Sequence, residues 1–209
     1  MKKLTALLAS IAFASMGYTQ DVKFMEQRDL LASEKVASVQ TVEIRFKGDE
    51  AIDSIPKGKA EFDDHGRMIR YTEFFARGRK AAEFIYEYDD KGRLVSSSVS
   101  HRAMEFRPIP MKMEMDDQGR MISRAPAETI PGMWEKETFS YDRNGGLVRA
   151  DQWYSNGQHT FDEYPAQMMP GASHMSMLMA PNGLIHAQQR YDGQRQLTGI
   201  LRYRYTKRP

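Results

Sequence analysis

The sequence predicts an all-β protein: a twisted, curled antiparallel meander of about twelve strands built from hairpin repeats, with a short helix ahead of it. Three observations carry this. The segments FDDHGRMI from Phe62, YDDKGRL from Tyr88, MDDQGRMI from Met115 and YDRNGGLV from Tyr141 are near-copies, and their glycines Gly66, Gly92, Gly119 and Gly145 lie 26, 27 and 26 residues apart. Weaker glycine turns sit 12 residues past two of them, at Gly78 and Gly157, so that one unit is two strands and two reversals. Between turns the apolar residues alternate, as in Val42, Ile44 and Phe46 against Glu43, Arg45 and Lys47, which is strand period.

Residues 1–20 read as a signal peptide. Lys2 and Lys3 precede an uncharged, mostly apolar run from Leu4 to Met16, and Ser15 and Gly17 supply small residues near a cleavage point. Ala12-Phe13-Ala14, Ser15-Met16-Gly17 and the bond before Asp21 all offer places to cut. The run is shorter than the roughly 20 residues of a membrane span. The chain has no cysteine, which excludes a lipid anchor on cysteine, disulfides, thiolate metal sites and a cysteine nucleophile. Export to the periplasm or beyond follows as the expectation, with no membrane span after cleavage. Residues 21–38 then form a helical or irregular lead, with Phe24, Met25, Leu30, Leu31 and Val36 apolar among charges. Residues 39–209 form the β-repeat domain, and Gly48 to Gly58, which contains Pro56, reads as a loop.

The repeated turn has a mechanism. In Asp89-Asp90-Lys91-Gly92 the first Asp can accept from a backbone N–H two residues on, the middle pair takes type I geometry, and glycine takes the left-handed position of a bulged hairpin. Chain reversal therefore accounts for the motif without a ligand. Tyr86 and Tyr88 enter the turn on one face, Glu87 and Asp89 on the other.

The pattern resembles the YD repeat of Rhs-type and wall-associated bacterial proteins, roughly Tyr-Asp, two residues, Gly-Arg-Leu. Tyr88-Asp89, Gly92, Arg93 and Leu94 match it fully, and Tyr141-Asp142, Gly145 and Leu147 match with Gly146 in the arginine place. The other copies carry Phe62 and Met115 for tyrosine and Met68 and Met121 for leucine; Tyr191-Asp192 survives with its glycine displaced to Gly193. The resemblance covers about residues 59 to 205 and implies architecture more than function. Large members wind many repeats into a shell around a cargo, which four good copies cannot do.

Charge narrows the partners. The formal charge of +2 comes from 30 basic and 28 acidic residues, and loss of Lys2 and Lys3 with the leader leaves 28 against 28. Nucleic acid is not expected, because it demands a basic patch. Among the 15 methionines, Met111, Met113 and Met115 share one strand face, as do Met175, Met177 and Met179. Such trios suit a core, an apolar ligand pocket or a soft metal such as Cu(I), with core favoured. The pairs Asp63-Asp64, Asp89-Asp90 and Asp116-Asp117 lack the alternating spacing of a calcium loop and read as solvated turn carboxylates. No HExxH or GxSxG occurs, and no catalytic residue or cofactor is assigned. A sheet with one apolar face must bury it by curling, by packing on the N-terminal segment, or by meeting another chain. The expected function is an exported, non-catalytic module that binds an envelope protein or glycan through a face carrying Tyr86, Tyr88, Met113, Met115, Tyr141, Met175, Met177 and Met179. The alternative is a periplasmic carrier that holds an apolar or lipidic ligand on its methionine-rich face.

Overall fold

A computed structural model describes residues 24–25, 27–47, 50–75, 78–163, 175–191 and 196–209. One short helix, α1 (Arg28–Ser33), precedes thirteen strands: β1 (Val36–Lys47), β2 (Glu50–Phe62), β3 (Met68–Phe74), β4 (Lys80–Tyr88), β5 (Leu94–His101), β6 (Pro108–Met115), β7 (Met121–Pro126), β8 (Lys136–Tyr141), β9 (Leu147–Trp153), β10 (His159–Glu163), β11 (Met175–Met179), β12 (Ile185–Tyr191) and β13 (Leu197–Lys207). They form one antiparallel sheet in the order β10-β9-β8-β7-β6-β5-β4-β3-β2-β1-β13-β12-β11. The thirteen strands among the described residues agree with the expected antiparallel meander of about twelve, with one departure in the order. The last strand returns beside the first, Val39 opposite Tyr205 and Thr41 opposite Tyr203, so β1 has a neighbour on each side.

The turns behave as their chemistry predicts. At Gly66, Gly92, Gly119 and Gly145 the glycine N–H donates to the carbonyl of the residue three back, and that residue's N–H donates to the carbonyl just past the glycine. The same pair of bonds closes the weaker turns at Gly78, Gly157 and Gly183. The turn at Gly193 lies outside the described residues. In the strong turns the leading carboxylate is used up locally: Asp116 Oδ1 accepts from the Gln118 and Arg120 amides at 2.9 Å each, and its Oδ2 accepts from Arg120 Nε at 2.7 Å. Asp63 with Arg67 and Asp89 with Arg93 repeat this clamp. Asp142 keeps only the amide bonds, because Gly146 stands where the arginine would be.

The segment read as a loop is instead most of β2. Pro56 is accommodated because the register of β1 and β2 shifts between Thr41 and Val42, opposite Pro56, and a bulge needs no ladder donor there.

The chain divides into two compact units, one of Met1–Glu26 with Phe84–Tyr164, the other of Gln27–Glu83 with Pro165–Pro209. In the second unit Val39, Ala60, Met68, Tyr71, Leu201 and Tyr203 are buried. Tyr71 lies so close over Gly58 that any β-carbon there would meet its ring. α1 buries Leu31 and lies against the turn at Gly66, and the C-terminus is fastened to the same corner. Lys207 Nζ pairs with Glu34 at 2.8 Å, and Arg208 donates to the carbonyls of Phe62 and Asp63.

Candidate functional site

The sequence singled out the apolar face, and in the first unit that face is the interior. Ile109, Met111, Met113 and Met115 alternate along β6; the first two are buried, and Met113 and Met115 pack on a cluster of Met121, Phe139, Leu147 and Ala150. Tyr141 joins this packing, donates its hydroxyl to the Met121 carbonyl at 2.7 Å, and carries the Arg120 guanidinium 4.6 Å over its ring. Tyr86 is buried too, and its hydroxyl accepts from Arg124 Nη1 at 3.1 Å. Tyr86 is thereby corrected from partner face to core, and Met113, Met115 and Tyr141 serve the core as well, because a single-layer sheet must spend its apolar face on burial first. Tyr88 is half-buried. The side chains of Met175 and Met177 lie outside the described residues, and Met179 is exposed. The turn glycines Gly66, Gly92, Gly119 and Gly145 all have φ between +70° and +85°.

Within that interior runs a cross-strand row of polar residues that no periodicity announced. Arg124, Glu137 and Gln152 are opposite one another on β7, β8 and β9. Arg124 Nε donates to Glu137 Oε2 at 2.6 Å with the two side chains 1% and 0% exposed, and Gln152 Nε2 donates to Glu137 Oε1 at 2.8 Å. The rings of Phe84, Trp134 and Phe139 stand 5.1, 5.2 and 5.5 Å from the guanidinium carbon. A buried ion pair of this kind costs desolvation and is held by hydrogen bonds and cation–π contact. It is sealed from solvent and links three neighbouring strands.

The candidate site lies on the opposite, wet face of the same unit. The Gly157 hairpin joins β9 to β10 and sets Trp153 against His159 and Asp151 against Phe161. Trp153 and His159 stack with centroids 4.9 Å apart and planes 14° from parallel, and Phe161 follows at 6.2 Å. All three are exposed. Between them Asp151 accepts from Arg149 Nε and Nη2 at 2.8 and 2.6 Å and meets His159 Nε2 at 2.8 Å. Hydrogen bonds from Arg149, the largest effect, with partial burial opposing and the His159 bond adding, hold the Asp151 carboxyl below the usual carboxylate range. An ionised carboxylate only accepts, so the His159 Nε2 that meets it carries a hydrogen. The Arg149 guanidinium lies 4.2 Å over Phe161. Within the row the Asp151 carboxylate and the Arg149 guanidinium cancel.

Sequence reading missed this cluster, although the signal was present. A six-residue step across a glycine turn that places Trp153 opposite His159 could have been read from the hairpin itself. The acidic pairs do not converge: Asp63, Asp89 and Asp116 cap their own turns. Among the described residues no three His, Asp or Glu side chains are grouped as metal ligands, and no helix is long and apolar enough to cross a membrane.

No family model and no curated protein matches the chain. Among solved structures, a porin-like protein from Bacteroides uniformis aligns with a TM-score of 0.47 at 11% identity, over 82% of this chain and 98% of that one. A Vibrio parahaemolyticus domain, provisionally named for outer membrane lipoprotein sorting, aligns at 0.31 and 10% identity over 92% and 93%. The Photorhabdus luminescens Tc holotoxin pore aligns at 0.25 and 12% identity over 76% of this chain and 9% of that one. At these values the likeness assigns no family.

Proposed function

We propose that this protein is an exported, non-catalytic β-repeat module, a short array of the YD-repeat kind, that binds a neutral glycan at the cell envelope through Trp153, His159 and Phe161. The observation that carries the reading is the exposed aromatic row whose one carboxylate and one guanidinium neutralise each other. Aromatic rings that remain exposed in a folded unit mark a contact surface, since the same unit buries Phe84, Trp134 and Phe139. Within the row Arg149 is committed to Asp151, so that pair presents no net charge to a ligand. Sugar rings offer apolar C–H faces to the aromatics, and hydroxyls to His159 Nδ1 and the indole N–H.

The test is fluorescence titration with neutral hexasaccharides of glucose and N-acetylglucosamine. Of the two tryptophans, Trp134 is fully buried and Trp153 exposed, so a ligand on this surface changes the Trp153 emission. In the variants, followed by isothermal titration calorimetry because Trp153→Ala removes the fluorescent reporter, saturable binding should weaken roughly tenfold or more in Phe161→Ala and vanish in Trp153→Ala. Saccharide binding that survives Trp153→Ala, or no binding by any neutral glycan, refutes the assignment.

A second reading, a carrier of an apolar or lipidic ligand, is favoured by one observation: Leu178 and Met179 on β11 of the other unit are exposed. Co-purification of lipid, lost in Leu178→Asp, would establish it in place of the first.

A further inference from the structure

The connection between β5 and β6 is held in a conformation that its residues do not favour. Glu105 and Phe106 follow one another at φ 53° and 57°, in the left-handed region that suits glycine and that a bulky side chain rarely enters. Strain of this kind persists only where the surrounding bonds impose it. Backbone bonds close the segment from Glu105 N–H to the Arg102 carbonyl, from Phe106 N–H to the His101 carbonyl and from Arg107 N–H to the Met104 carbonyl. One further bond comes from a side chain. His101 caps the 3₁₀ turn Arg102–Met104, its Nδ1 accepting from the Ala103 amide at 3.1 Å.

This cap is conditional in a way that a serine or asparagine cap is not. An imidazole nitrogen accepts only while the ring is neutral, and a proton on Nδ1 would set N–H against N–H. His101 is also buried, so charging it costs desolvation, and the two effects act in one direction. Burial alone holds its imidazole below the ordinary value of 6.5. The charges around it offer no compensation. Of the strands beside β5, β6 sets Ile109 and Met111 on the buried face and Lys112 and Glu114 on the other, while β4 sets Phe84 and Tyr86 on the buried face and Glu87 on the other. The rest of β4 carries Lys80 paired with Glu83 at 2.7 Å. On the buried face Arg124 and Glu137 satisfy each other at 2.6 Å. In the turn itself Arg102 and Glu105 are exposed, and Arg107 pairs with Glu128 at 2.7 Å.

We propose that residues 102–107 form an acid-operated latch, in which protonation of His101 Nδ1 withdraws the acceptor from the Ala103 amide and lets Glu105 and Phe106 leave the left-handed region. The proton comes from solvent, and no covalent bond changes. Its sign is fixed by which state binds the proton more tightly. Folding holds the ring neutral, so the cap contributes fully above the ordinary histidine value and its contribution is lost as pH falls below 6.5. The latch is thus closed near neutrality and opens in acid.

The experiment follows amide hydrogen exchange by nuclear magnetic resonance in the full chain at about pH 7.5 and about pH 5, with each rate expressed as protection relative to an unstructured peptide at the same pH. Protection of the Ala103 and Phe106 amides should fall about tenfold or more in acid, with the same midpoint as the His101 ring signals. His101→Asn supplies a cap that does not titrate and should keep the protection at both values. His101→Ala should lack it at both. Glu105→Gly takes the left-handed conformation without strain and should shrink the loss in acid. Protection that is equal at the two pH values in the unaltered chain overturns the proposal. So does an acid loss that persists in His101→Asn, which would assign the effect to a carboxylate such as Glu105 or Glu128. Full protection in His101→Ala near neutrality would show that the cap holds nothing. Should both substitutions at His101 unfold the chain, the unaltered protein still decides, because a loss of protection whose midpoint departs from that of the His101 ring refutes the latch.

Discussion

Gly66 and Gly183 close turns of the same kind in the same unit, yet alanine should act very differently at the two. Both have positive φ, +70° and +85°, where a β-carbon costs about 1–2 kcal/mol. At Gly183 that is nearly the whole penalty, since the nearest atom to an added β-carbon is Leu30 Cδ2 at 3.6 Å, an ordinary contact. At Gly66 the added carbon would overlap the Arg28 carbonyl oxygen and come within 2.7 Å of the Ala32 amide nitrogen, both backbone atoms of α1. The helix must then lift, uncovering the fully buried Leu31, whose burial stabilises by about 1.5–3 kcal/mol. Gly66→Ala should therefore cost about 3–5 kcal/mol against about 1–2 for Gly183→Ala. At roughly 2–4 °C per kcal/mol for a chain of this size, melting followed by far-ultraviolet circular dichroism should separate the two by about 5–10 °C. Equal shifts would mean that α1 does not rest on the first turn, and the account of that corner would be wrong.

Two further outcomes follow from buried polar groups. Arg124→Ala strands the Glu137 carboxylate in the interior and should cost about 3–5 kcal/mol in urea unfolding, whereas Arg124→Met together with Glu137→Leu should recover most of that loss; a double variant as unstable as the single one would show that the stranded charge is not the cause. Burial raises the Tyr205 phenol to about 12, and its hydroxyl donates to the Ile185 carbonyl at 2.8 Å. The neutral form is the one stabilised when folded. Its contribution is thus complete below the unfolded value near 10 and is lost as pH rises from about 10 towards 12. Tyr205→Phe should flatten stability against pH over that window, and an unchanged slope would refute it.

Local chemistry made much of this molecule readable. The Asp-x-x-Gly turns, the strand alternation and the methionine trio on β6 depend on φ preference, hydrogen bonding over four residues and period-two geometry, all of which a sequence writes directly. Pro56 misled for the same reason: a proline marks a break locally, and only the bulge opposite Val42 lets it sit inside β2. The aromatic site was half legible, because the Gly157 hairpin sets Trp153 against His159, while the ion pairs that neutralise it depend on Arg149 and Asp151 sharing the wet face.

By itself the sequence determined where the chain bends and which residues alternate, since each turn needs only its own four or five residues. Only the tertiary structure decided that β13 comes back to pair with β1, that the apolar face is spent on a core threaded by Arg124, Glu137 and Gln152, and that Trp153, His159 and Phe161 stay outside. Those outcomes turn on contacts between residues as far apart as Val39 and Tyr205, whose free energy comes from shared burial and depends on which face the whole sheet turns away from water.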